Sequence, residues 1–162
     1  MRHILRPREL LPDPWRYLGE EDAAGKGVIV PLAEWRRTPE VWADWRGPLG
    51  VRLSPVDRVE DLVDLPRLSL VAAEFPSPGE GRGYTQGQLL RGRFGFTGEL
   101  RAVGAGVKQD LIFLLARCGF DAFELAPGED AQAAAAALTR YDVVYQGSRG
   151  EVPVRRQRFF AA

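Results

Sequence analysis

A chain of 162 residues that is 45% apolar has the material for one folded core, which excludes wholesale disorder. Twenty-two basic residues balance twenty-two acidic ones, which argues against a dedicated nucleic-acid binder. One cysteine excludes an internal disulfide and one histidine excludes a His-rich metal site. The amino-terminal stretch MRHILRPRELLPDPW has no apolar run for a signal peptide or a membrane span, so the chain reads as soluble and cytoplasmic.

In chain order, residues 1–26 show no sustained period and carry Pro7, Pro12 and Pro14. They read as an arm with at most short structure, ahead of a single α/β domain over residues 27–162. GVIVPL (27–32) is a β-branched run suited to a buried strand. RTPEVWADW (37–45) predicts a helix, with Thr38 as cap, Pro39 in the first position, and Trp42 and Trp45 on one face. LGVRLS (49–54) predicts a second strand, and SPVDRVEDLVDLP (54–66) a short helix opened by Ser54 and Pro55. LSLVAAEF (68–75) is the third strand, followed by a weak helix over 85–94. TGELRAVG (97–104) is the fourth strand. VKQDLIFLLARCG (107–119) has the clearest helical stripe, with Val107, Leu111, Leu114, Leu115 and Cys118 on one side and Gly119 as its stop. FDAFELAP (120–127) is the fifth strand, and EDAQAAAAALTRY (129–141) an alanine-rich helix. The tail SRGEVPVRRQRFF carries little weight. Alternation of this kind predicts a mostly parallel sheet of about five strands with right-handed crossovers, either doubly wound or an incomplete barrel.

In such folds ligands sit at the carboxyl ends of the strands. Two glycine-rich loops fall there. FPSPGEGRGYT places Gly81, Arg82, Gly83, Tyr84 and Thr85 after the third strand; VGAGVKQD places Gly104, Gly106 and Lys108 after the fourth. Glycines permit close backbone approach, and a helix start beside Arg82 and Lys108 suits a small oxyanion or a carboxylate of a partner. The competing readings are a tight loop pinned by Arg82 and a solvated Lys108, because neither GxGxxG nor GxxxxGK[ST] is present. Cys118, on an apolar stripe, reads as a buried structural thiol; Trp35, Trp42 and Trp45 read as packing; His3 reads as solvated. No Ser-His-Asp, Cys-His or metal-ligand set assembles, and no cofactor fingerprint is present, so the cofactor is unassigned.

EFPSPGEGRGYTQGQLLRGRFGFTGELRAVG followed by DLIFLLARCGFDAFEL resembles the DUF934 family of bacterial proteins, whose members carry a phenylalanine, then DGRGYS, LLR, GELRAVGD and an RCGFDAFEL ending. The likeness extends back through GVRLSP to VIVPLAEW. In this chain Glu80 stands for the usual aspartate, Thr85 for the usual serine and Ala105 for another aspartate, with GVKQD in place of a run close to VLRDQ. The family is described as oxidoreductases involved in sulfite reduction. The resemblance therefore implies a role in sulfur assimilation, with sulfite reductase or a neighbouring sulfur-assimilation protein as partner. Lacking a cofactor motif, the chain is expected to be an accessory protein that binds such a partner and a small oxyanion; the alternative is an oxidoreductase with an unidentified cofactor. No nucleic acid and no membrane is expected as partner.

Overall fold

The computed structural model describes residues 2–7, 9–20 and 27–139. Among these residues eight strands form one sheet in the spatial order β2-β1-β8-β7-β6-β5-β4-β3. β1 (His3–Arg6) and β2 (Glu9–Pro12) form a hairpin and β3 (Trp15–Tyr17) follows. Then β4 (Gly27–Pro31), β5 (Leu49–Leu53), β6 (Leu70–Glu74), β7 (Glu99–Val103) and β8 (Ala122–Phe123) alternate with helical segments. β3 to β8 pair in parallel, each with its neighbour in sequence, whereas β1 runs antiparallel to both β8 and β2.

The sheet is therefore mixed and eight-stranded, which corrects the expectation of about five mostly parallel strands. All five expected segments are strands; the three additional ones lie in the first 17 residues. Proline is tolerated on edge strands, where a missing N–H removes no ladder bond, and Pro12 ends the outermost strand β2. Strand order follows the chain from β3 to β8 without reversal, so the sheet lacks the switch point of a doubly wound fold. It is also curled. Tyr17 on β3 donates a 2.7 Å hydrogen bond to Glu124, just past β8, although four strands separate β3 from β8 in the ladder.

The helices are α1 (Leu32–Arg37), α2 (Pro39–Ala43), α3 (Arg82–Gly92), α4 (Ile112–Arg117) and α5 (Ala131–Leu138). Their buried side chains, among them Trp35, Trp42, Leu90, Ile112, Leu115 and Ala134, form one cluster with Val28, Val30, Val51, Val71, Leu100 and Phe123. All five described helices thus cover the same, outer face of the sheet. Alternate strand residues point inward, where Ile29, Leu70, Ala72 and Val103 meet Trp15 and Tyr17.

Three helix expectations change. Residues 54–66 hold two single 3₁₀ turns, Val59–Asp61 and Leu65–Arg67, interrupted by Asp64 at φ 58°. Ser54 does not cap a helix; its N–H and hydroxyl both bond Asp57 Oδ2, which closes a local turn. The helix at 107–119 shortens to α4, while the weak third helix becomes α3, at eleven residues the longest described. The last helix keeps its acidic start, since Asp130 caps the N–H groups of Gln132 and Ala133. Arg140 and the tail lie outside the described residues.

Candidate functional site at the carboxyl edge of the sheet

The two glycine loops leave adjacent strands, β6 and β7, and touch through their backbones. Gly106 N–H donates to Phe75 O at 2.7 Å, and Phe75 N–H donates to Val103 O at 2.8 Å. Gly104 has φ +108°, and a Cβ there would lie 2.6 Å from Phe75 O; a Cβ on Gly106 would strike Ser77 O. Gly83 faces the Phe75 ring, where a Cβ would come 2.6 Å from Cε1, whereas Gly79 and Gly81 have open space. Packing thus accounts for Gly83, Gly104 and Gly106, and Phe75 is the hub of both loops. Tyr84 is half-buried and meets Phe75 edge-on at 5.2 Å between centroids; burial, then the charge field of Cys118 and Asp110, pushes its phenol upward.

The predicted cations have separate partners. Lys108 Nζ is 3.1 Å from Glu129 Oε1, and Glu129 also accepts the Gln109 N–H at 2.7 Å. Those bonds, the backbone one foremost, hold the Glu129 carboxyl below its usual range. Arg82 opens α3 and has a 63% exposed side chain, and among the described residues its guanidinium pairs only with Glu80, at 3.7 Å. Glu80 Oε1 accepts the Arg82 N–H at 3.0 Å, so a carboxylate of the chain already sits at this helix start. Thr85 lies within α3 rather than capping it. Arg82 and Thr85 border a cleft of about 250 Å³ whose far wall is residues 55–60. On that wall Arg58 is 73% exposed, with Glu60 at 3.8 Å. The cleft floor is Gln86, whose amide nitrogen bonds Ser54 O and Asp57 O.

The inner face carries charges outside the two glycine loops. Arg101 on β7 and Asp13 between β2 and β3 form a two-pronged pair at 2.9 and 3.0 Å, with side-chain exposures of 0% and 1%. Glu99 also accepts from Arg101, at 2.9 Å, and takes Arg6 at 2.7 Å. Arg2 bonds Asp13 at 2.8 Å, Glu20 at 3.0 Å and Trp15 O at 2.9 Å, and lies 4.4 Å from the Tyr17 ring centre. Burial alone would raise the Asp13 carboxyl, but the bonds from Arg101 and Arg2 outweigh it and hold it below the usual carboxylate range. Burial and then the Glu124 charge push the Tyr17 phenol upward, so it stays protonated and donates to Glu124. At the mouth of the curl, Arg52 on β5 and Glu74 on β6 stand 3.8 Å apart.

A sequence signal for this layer existed. Arg52, Glu74, Arg101 and Glu124 are charges inside or at the end of otherwise apolar strands, and Glu99 and Arg101 share one face by the two-residue period. A parallel strand buried on both faces carries no such charge without a partner. Elsewhere, a larger cavity of about 700 Å³ lies between α3 and α4. Cys118 at its border is 7% exposed, accepts from Gln88 at 3.5 Å, and has a thiol pushed up by burial. Arg91 there is spent on the carbonyls of Phe96, Gly98 and Gly119 and on Asp121. Among the described residues no helix is long and apolar enough to cross a membrane.

Fold and edge together define an α/β protein with a curled mixed sheet, a rim of glycine loops and charged side chains at the inner carboxyl ends of β5, β6 and β8. The chain belongs to the DUF934 family, described as bacterial proteins of unknown function, which matches residues 50–154. No curated protein and no solved structure matches it.

Proposed function

We propose that this chain is a cytoplasmic accessory protein of assimilatory sulfite reduction, which holds a small oxyanion or a partner's carboxylate in the cleft between residues 55–60 and the start of α3. The setting comes from the resemblance of its motifs; the site comes from geometry. One observation carries it: Arg58 and Arg82 face one cleft at the carboxyl edge, both largely exposed, and each has its nearest acid only at 3.7–3.8 Å. Guanidinium groups engaged only by such long ion pairs keep donors that suit tetrahedral or planar oxyanions, and Thr85, on the α3 wall beside Arg82, brings a hydroxyl.

Titration calorimetry with sulfite and sulfate tests the anion, and affinity capture from sulfate-starved cells tests the partner. Arg82→Ala is expected to weaken the affected binding about tenfold or more, a charge-assisted hydrogen bond's worth, with the melting temperature unchanged. A sharp fall in melting temperature with binding intact would make Arg82 an internal pin. A visible chromophore on the purified protein would favour an oxidoreductase instead.

A further inference from the structure

The inner mouth of the sheet presents a second set of groups, on the opposite face from the Arg82 cleft. The inner-face arginines Arg2, Arg6 and Arg101 each make short hydrogen bonds to carboxylates. Arg52 differs. Among the described residues its guanidinium makes no hydrogen bond; it has Glu74 at 3.8 Å and the Tyr17 ring centre at 5.5 Å. Glu74 likewise accepts none, and Glu124 engages only Oε2, which accepts from Tyr17 and lies 3.9 Å from Arg2. The side chains of Arg52, Glu74 and Glu124 are 37%, 31% and 26% exposed, so they are reachable yet partly dried. Arg52 ends the inner row of β5 and Glu74 that of β6, at the strand ends where parallel folds bind ligands.

The charges select the ligand. A simple anion at Arg52 would sit against Glu74 and near Glu124, and a simple cation would sit against Arg52 with Arg2 close behind Tyr17. A molecule with both signs a few ångströms apart satisfies the donors of Arg52 and the unused carboxylate oxygens together. We propose that the mouth of the curled sheet binds a small zwitterion, an α-amino acid or an analogue with an ammonium and an oxyanion, with Arg52 taking the oxyanion and Glu74 and Glu124 the ammonium. The Tyr17 phenol, fixed by Glu124, forms the wall between them. This site does not depend on the Arg58–Arg82 cleft.

The test is titration calorimetry of the full chain with the standard L-α-amino acids, and with acetate and ethylammonium as single-charge probes. Saturable binding is expected for at least one amino acid and for neither probe at the same concentration. Arg52→Gln and Glu74→Gln remove no hydrogen bond from the fold, so both should melt like the parent. Each should weaken amino-acid binding about tenfold or more. Arg82→Ala should leave it unchanged, so failure at one site is separable from failure at the other. The proposal is overturned if no amino acid binds, if acetate binds as tightly, or if both mouth variants bind like the parent.

Discussion

Arg101 lies on a strand with its guanidinium wholly removed from water, an arrangement that costs several kcal/mol of desolvation unless every donor is met. Asp13 and Glu99 meet them, and two acids around one base explain why burial does not depress the Arg101 guanidinium, which is held above its ordinary value. Removing one partner exposes the cost. Asp13→Asn keeps the shape but leaves Arg101 with Glu99 alone, and we expect a loss of about 3 kcal/mol at neutral pH in urea denaturation. The pH dependence has a definite sign. The folded-state Asp13 carboxyl lies below its ordinary value of 3.8, so its stabilisation is complete above that value and is lost as pH falls further toward the folded value. The parent should therefore lose stability below about pH 3.8 more steeply than Asp13→Asn; parallel curves would show that the pair contributes no net linkage.

At the scale of elements, the alternation of strand and helix was legible because periods of two and of 3.6 residues are local properties. Strand starts near Val28, Val51, Glu99 and Ala122 follow from it, and β6 begins at Leu70 within the apolar run from Leu68. The glycines were legible as a site but not by role, because their roles depend on what lies across the loop. Gly81 and Gly106 belong to similar-looking stretches, yet Gly81 faces open space at φ −95° whereas Gly106 abuts the carbonyls of Ser77 and Phe75. Gly81→Ala should leave stability unchanged or raise it by about 0.4–1 kcal/mol, through the reduced freedom of the unfolded chain. Gly106→Ala must push apart two backbones joined by the Gly106–Phe75 hydrogen bond, and should cost about 1–3 kcal/mol. Thermal melts of both variants decide it; equal melting temperatures would mean that the two loops part easily and that Phe75 is no hub.

For the molecule as a whole, closure of the curl is carried by the segment that looked least structured. Pro7, Pro12 and Pro14 suppress any period in residues 1–20, and the contacts that order the segment are remote: Arg101 and Asp13 are 88 positions apart, Tyr17 and Glu124 107. No local pattern encodes such pairs, so neither the hairpin nor the curl could be read from strand periodicity alone. The segment threads opposite charges along the inner face, from Arg6 through Glu99, Arg101, Asp13 and Arg2 to Glu20, and lays Trp15 and Tyr17 over Ile29, Leu70, Ala72 and Val103. Deleting residues 1–20 would strip that apolar layer, leave Arg101 with a single acid, and free the edge of β8 that now pairs with β1. The shortened chain is expected to lose its cooperative unfolding transition and to bind a hydrophobic dye such as ANS, as an opened sheet with helices still on its outer face would. A truncated chain that unfolds cooperatively at the parent's midpoint, without dye binding, would show instead that the helix-covered face alone sustains the fold and that the charged thread serves the mouth rather than the closure.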